Sequence, residues 1–183
     1  MILKKIKLLI QKNFLWLMHR VNYKYYVKHY PLYLQSMGVR FSGDLSKTGF
    51  IAGSVKFDSV AYAKHIEVGE NTTISANVLI LVHDYSIGSA IRSIRPVTKG
   101  AMPHFIKDVK IGNNVFIGAR TIILPGTTIG DNVIIGAGSV VKGNIPEGVI
   151  IAGNPAKILK TTEEYARLHL ELGDFEGTLP EEN

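Results

Sequence analysis

Among the side chains that could do chemistry, six histidines come first, because an imidazole titrates near neutrality and can take a proton from a hydroxyl. Neither a disulfide framework nor a thiolate metal site is open to the 183 residues, which include no cysteine. His19, His29 and His169 fall in stretches that read as helical flanks and have no evident role. His83 is different, since it stands in the run HDYS (83–86) where a six-residue repeat breaks off. The hexad that begins at Ile80 puts His83 in the fourth, corner place and Asp84 in the fifth, where other hexads carry an uncharged inward residue. An ionised carboxylate cannot cheaply enter that interior, so the chain must leave the repeat at this point. The following stretch, YSIGSAIRSIRPVTKGAMPHFIKD, has no hexad phase until Val109. Insertions in a repeat structure fall on one face and often carry binding, so His83 lies where a substrate could be held. Asp84 or a backbone oxygen could orient its ring.

What must position this histidine is the repeat itself. Residues 111 to 146 divide without a gap into IGNNVF, IGARTI, ILPGTT, IGDNVI, IGAGSV and VKGNIP. Each hexad opens with Ile or Val, and the fifth place holds Val115, Thr121, Thr127, Val133, Ser139 and Ile145, small or β-branched side chains suited to a narrow interior. The fourth place holds Asn114, Arg120, Gly126, Asn132, Gly138 and Asn144, mostly residues that tolerate positive φ, which predicts one corner per hexad. A short strand and a corner every six residues wind the chain into a stacked prism, an all-β solenoid. A helix fails, because apolar places spaced by six drift around its axis and Gly and Pro would break it. The phase returns earlier at VGENTT and ISANVL, and in degenerate form through Val60 and Tyr62 to about Val55 and Phe57.

These hexads, the run IGAGSVVKGNIPEGVIIAGNPAKILK (135–160) and His83 ahead of a long loop resemble the hexapeptide-repeat O-acetyltransferases over about residues 50–160. The pattern is similar to galactoside and maltose acetyltransferases, and HDYS leans toward the bacterial capsule, exopolysaccharide and lipopolysaccharide group. The resemblance implies a left-handed parallel β-helix with three hexads per coil, a homotrimer with sites between subunits, and acetyl transfer from acetyl-CoA to a sugar hydroxyl with no metal. His83 would be the general base on the hydroxyl, and a backbone N–H near Gly118 or Ala119 would hold the oxyanion. His65, eighteen residues before His83, would occupy the same corner one coil earlier, lining the acceptor pocket or simply facing solvent. By resemblance Gly118, Ala119 and Ala137 line a groove for pantetheine, while Lys157 and Lys160, with Lys142 assisting, meet the phosphates of coenzyme A. Arg92, Arg95, Lys99 and Lys107 in the loop hint at an acidic sugar or a sugar phosphate, or simply form a solvated basic face.

The flanks complete a three-part organisation: a helical cap over 1–40, the β-helix over 41–160 with its extruded loop at 84–108, and a short closing helix with an acidic tail over 161–183. Residues 1–37 alternate apolar residues with lysines, and Lys4, Lys5, Lys7 and Lys12 argue against both a signal peptide and a membrane span, which favours a cytoplasmic location. Such a helix could make a peripheral contact with the inner membrane surface or cover the open first coil, and the cap is the preferred reading. Thr161 or Thr162 ahead of Glu163 and Glu164 predicts the N-cap of the last helix. The net charge of +6 suits a phosphate-bearing ligand, and no nucleic-acid module accompanies it. Two competing functions are a non-catalytic β-helix scaffold and a zinc hydrolyase like the γ-class carbonic anhydrases, which would need three converging imidazoles.

Overall fold

The computed structural model describes residues 2–97, 100 and 102–179. The chain visits three parallel sheets in rotation. The first face holds Arg40–Phe41, Ile66–Val68, Val109–Ile111, Thr128–Ile129 and Asn144–Ile145. On the second face are Thr73–Ile74, Phe116–Ile117, Ile134–Ile135 and Val149–Gly153, and on the third Lys56–Phe57, Leu79–Ile80, Ile122–Ile123 and Val140–Val141. Ile111 aligns with Ile129, Ile117 with Ile135 and Ile123 with Val141, each eighteen residues on, so three hexads make one circuit.

The interior follows from the hexad. Ile111, Ile117, Ile123, Ile129, Ile135 and Val141 are buried at the first place, and Val115, Thr121, Thr127, Val133 and Ser139 at the fifth. The buried hydroxyls are satisfied by backbone carbonyls: Thr127 Oγ1 donates to Leu124 at 2.6 Å and Ser139 Oγ to Gly136 at 2.6 Å, so their burial carries no desolvation penalty for an orphaned donor. Corners fall at Asn114, Arg120, Gly126, Asn132 and Gly138, all with positive φ. Asn144 departs from the expected pattern. The corner there is Gly143 (φ 87°), and Asn144 lies in a strand, because Ile129 aligns with Ile145 only sixteen residues on and that circuit is two residues short.

Upstream the strict period also gives way. Phe57 aligns with Ile80, twenty-three residues on, because a 3-10 turn at Ala63–His65 lengthens that circuit. From Ile80 to its partner Ile123 the chain runs forty-three residues, one circuit plus an excursion over 84–108. The excursion is ordered at its base, where His83–Asp84 pairs antiparallel with Phe105–Ile106, and it contains helix α3 (Ser86–Arg92), which the broken hexad phase did not reveal. Lys99 lies outside the described residues.

Two helices precede the coil, α1 (Ile2–Val21) and α2 (Tyr23–Met37). Asn22 separates them and caps α2, accepting from the Tyr25 N–H at 3.0 Å, and Gly38 ends it in the left-handed region. Helix α2 buries Tyr26, Tyr30, Tyr33 and Leu34 against the first strands, and the Tyr26 hydroxyl donates to the Ile51 carbonyl at 2.8 Å. Leu8 and Leu15 are the buried side of α1. At the other end Ala156–Thr161 folds back antiparallel on Val149–Gly153, and α4 (Thr162–Leu172) starts from a capping box in which Thr161 and Glu164 exchange side chain-to-backbone hydrogen bonds.

Candidate active site

His83 leaves the third face just after Leu79–Ile80, and the strand one circuit earlier places Asp58 against it. His83 Nδ1 lies 2.6 Å from Asp58 Oδ2. The same oxygen accepts the Val82 N–H at 2.9 Å, and the Asp58 side chain is 2% exposed while that of His83 is 25% exposed. A buried carboxylate that faces Nδ1 can only accept, so the proton sits on Nδ1 and the Nε2 lone pair is left for a substrate hydroxyl. Asp58 holds this position at φ 47°, in the left-handed region that Asn and Asp tolerate best among residues with a side chain.

Three aromatic side chains surround the imidazole. Tyr62 stacks on it with ring centres 4.6 Å apart, and Tyr85 meets it edge-on at 5.5 Å. His104, from the far end of the excursion, packs on Tyr85 at 4.6 Å, and its Nε2 is 3.5 Å from the Tyr62 hydroxyl. His104 therefore joins the cluster and closes the excursion over it.

The carboxylate that meets the His83 ring is that of Asp58 and not that of Asp84. Asp84 is exposed, and its Oδ1 accepts the Ser86 N–H at 2.7 Å at the start of α3. That backbone hydrogen bond holds its carboxyl below the usual range, with Lys142 and His83 lowering it further. Asp84 thus shapes the loop entrance, and Lys142 stands on the same edge as His83. His65 is held elsewhere: its Nδ1 is 2.6 Å from Asp108 Oδ1, in a network with Arg40 and Glu67. The hydrogen bond with His65 lowers the Asp108 pKa, and Arg40 adds to the effect. Because the preceding circuit is lengthened, residues 57 and 58, and not His65, lie beneath the strand that delivers His83. No group of three metal-capable side chains converges among the described residues.

Gly118, Ala119 and Ala137 sit on a different edge, between the second and third faces, where successive circuits approach closely. A Cβ on Gly118 would come within 2.5 Å of the Ala137 nitrogen. The Gly118 N–H donates to the Ile135 carbonyl at 2.8 Å, so it is committed to the sheet and is not a free oxyanion donor. The Ala119 carbonyl accepts from Gly138 at 2.8 Å, and its own N–H has no partner among the described residues. Lys157 lies opposite Ala152 near the end of this edge, whereas Lys160 is opposite Ile150 and leans toward the Tyr165 ring at 5.9 Å. One chain therefore brings together His83, Asp58, Tyr62, Tyr85, His104 and Lys142, but carries Gly118, Ala119, Ala137 and Lys157 on another edge of the coil.

A rotating three-sheet coil built from hexads is interrupted by the excursion over 84–108, and the Asp58–His83 carboxylate–imidazole pair lies where the chain leaves the coil. Residues 108–143 match the family profile described as bacterial transferase hexapeptide (six repeats), which takes in the first five hexads read from the sequence and the start of the sixth. Protein CapG of Staphylococcus aureus is 42% identical over 110 residues, 60% of either chain. The galactoside O-acetyltransferase of Escherichia coli is 39% identical over 95 residues, 52% of this chain and 43% of that one. The matched region thus spans less than two thirds of these curated relatives. Among solved structures, a maltose O-acetyltransferase from Clostridium difficile has 25% identity and a TM-score of 0.50, over 84% of this chain and 87% of that one. The resemblance to hexapeptide-repeat acetyltransferases holds at the level of sequence and fold.

Sequence reasoning missed Asp58, Tyr62 and Tyr85 as partners of the imidazole. An acid directly after the core residue Phe57 was the available signal for Asp58, but the lengthened circuit hid its alignment beneath the strand leading to His83.

Proposed function

We propose that the protein is an acetyl-CoA-dependent O-acetyltransferase that acts on a sugar hydroxyl in surface polysaccharide synthesis, in the cytoplasm, with His83 as general base. The observation that carries this reading is the 2.6 Å contact between His83 Nδ1 and buried Asp58, which leaves Nε2 as the free base. The hydroxyl oxygen attacks the thioester carbonyl as Nε2 takes its proton. The tetrahedral oxyanion then collapses, the C–S bond breaks, and the imidazolium returns the proton to the thiolate of coenzyme A. Asp58 positions the ring and stabilises its charge in between.

Gly118, Ala119, Ala137 and Lys157 fit the donor. Ala119 and Ala137 present small side chains on this edge, the Ala119 N–H is left for a thin amide chain, buried Gly118 lets the circuits stack beneath them, and Lys157 offers a cation to the phosphates. Lys142 serves the acceptor edge beside Asp84, and Lys160 has only a peripheral part. Because the base and the groove stand on different edges of one coil, a complete site takes His83 from one chain and the groove from a neighbour. A homotrimer about a threefold axis supplies that neighbour three times over. The coil is read as a left-handed parallel β-helix over 41–160, with 1–40 as its cap and 161–183 as a closing helix and tail. A sugar acceptor is supported by the names of the galactoside and maltose relatives and by the aromatic rings around His83, which offer flat apolar surface to a pyranose.

The test is release of coenzyme A from acetyl-CoA against a panel of neutral, acidic and nucleotide-linked sugars. The reading expects release that depends on one acceptor class and a stoichiometric O-acetyl ester in the product. Release that no sugar accelerates, with no acetyl-CoA binding by calorimetry, would contradict it.

A further inference from the structure

Helix α1 has two apolar sides, and the fold buries one, while on the other Phe14 meets the Tyr25 ring edge-on at 5.8 Å. Leu8 and Leu15 are buried in the cap, while Leu3, Ile6, Leu9, Ile10, Phe14, Trp16, Leu17 and Val21 are exposed. Leu3, Ile6, Ile10, Phe14, Leu17 and Val21 recur at intervals of three and four, so they form one stripe, and Leu9 and Trp16 broaden it along one border. An exposed apolar face of this breadth marks an interaction surface.

Charge says what the surface meets. From residue 1 to residue 43 there is no Asp or Glu, while Lys4, Lys5, Lys7, Lys12, Arg20, Lys24, Lys28 and Arg40 all lie in that span. Lys5 and Lys12, one heptad apart, run beside the border that Leu9 and Trp16 form, and Lys7 falls on the opposite border beyond Phe14. Arg20 lies over the Trp16 ring at 4.2 Å, a pairing of cation and amphipathic indole suited to a headgroup layer. A second copy docked helix to helix would bring Lys5, Lys7 and Lys12 against their own like charges, with no carboxylate within 1–43 to pair them. No helix among the described residues is long and apolar enough to cross a membrane, so the mode is contact and not spanning.

We infer that α1 docks the protein on an anionic lipid bilayer, lying in the interface with the stripe of Leu3, Ile6, Ile10, Phe14, Leu17 and Val21 in the acyl region and its lysines among the headgroups. Helix α1 is then cap and anchor at once, with Leu8 and Leu15 facing the protein and the opposite side facing lipid. The inference does not depend on the acetyltransferase reading.

Flotation of the full chain with vesicles of phosphatidylcholine alone, or with a third phosphatidylglycerol, tests it. The protein is expected to float with the anionic vesicles and to be released by high salt. Each cation brought to such a surface strengthens partition about fivefold, so Lys5→Gln with Lys12→Gln lowers it about 25-fold. A Leu9→Ser, Ile10→Ser, Leu17→Ser variant, altered only at exposed positions, loses flotation while its light-scattering mass and thermal melt stay as in the wild type. Failure of the wild-type chain to float with either vesicle overturns the inference. So does a serine variant that floats normally but changes mass, since the stripe is then a contact between copies.

Discussion

Replacing Asp58 by Asn isolates the charge behind His83 from the shape that holds it. Asp58 Oδ2 accepts two hydrogen bonds, from the Val82 N–H at 2.9 Å and from His83 Nδ1 at 2.6 Å, and an amide oxygen in the same place can accept both. The backbone accepts the change as well, because φ at position 58 is 47° and Asn already stands at positive φ at 71, 77, 114 and 132. What is lost is charge. A hydrogen bond to a charged group is worth about 1.5–3 kcal/mol and a neutral one about 0.5–1.5 kcal/mol, so the imidazolium that forms during transfer loses about 1–2 kcal/mol. Asp58→Asn should therefore lower kcat/KM by roughly 5- to 30-fold, with KM for acetyl-CoA unchanged. The assay is initial-rate coenzyme A release across pH 5–9 at fixed acceptor, beside a thermal melt. A variant that melts like the wild type and turns over at the wild-type rate would refute the electrostatic role given to Asp58.

Other consequences can be checked separately. Gly118→Ala puts a Cβ 2.5 Å from the Ala137 nitrogen, a clash with backbone that cannot move aside, so a loss of about 1–3 kcal/mol in urea unfolding is expected; an unchanged midpoint would show that the circuits are less tightly stacked. Burial pushes the Tyr26 hydroxyl well above the usual phenol range, with Tyr30 and Tyr23 adding to it. A raised phenol contributes stability that is intact below its unfolded pKa of about 10 and is lost as pH rises beyond it. Stability should fall above that pH, and Tyr26→Phe should make the fall shallower; identical alkaline profiles would contradict this. If the site is shared between chains of a trimer, His83→Ala and Ala137→Trp are each inactive, but mixed trimers recover about a quarter of wild-type turnover, the chance that both halves of a site are intact. Absence of recovery in verified hybrids would place base and groove in one chain.

The coil was legible wherever the hexads are strict. From Ile111 to Val141 the first and fifth places are buried and the fourth turns the corner, because sterics at each position admit few residue types. Legibility failed where circuit length changes. Nothing in the local pattern marks the 3-10 turn at Ala63–His65, and that turn decides that Asp58, not His65, comes to lie beneath His83. The shortened circuit at Gly143 is hidden for the same reason, since Asn144 looks like one more corner residue. His83 itself could be read, because a charged residue after it breaks a rule the repeat obeys elsewhere. Its partners could not, because they come from a preceding circuit and from the excursion, and those contacts exist only once the chain has closed on itself.

Transfer by His83→Ala tests the central claim most directly. Wild type and variant would be loaded with radiolabelled acetyl-CoA and the accepting sugar, and single-turnover formation of the O-acetyl ester followed at pH 7.5. The base assignment predicts an intact fold, unchanged acetyl-CoA affinity and a rate lowered by about 10² to 10⁴. Ester formation at the wild-type rate in the folded variant would contradict it.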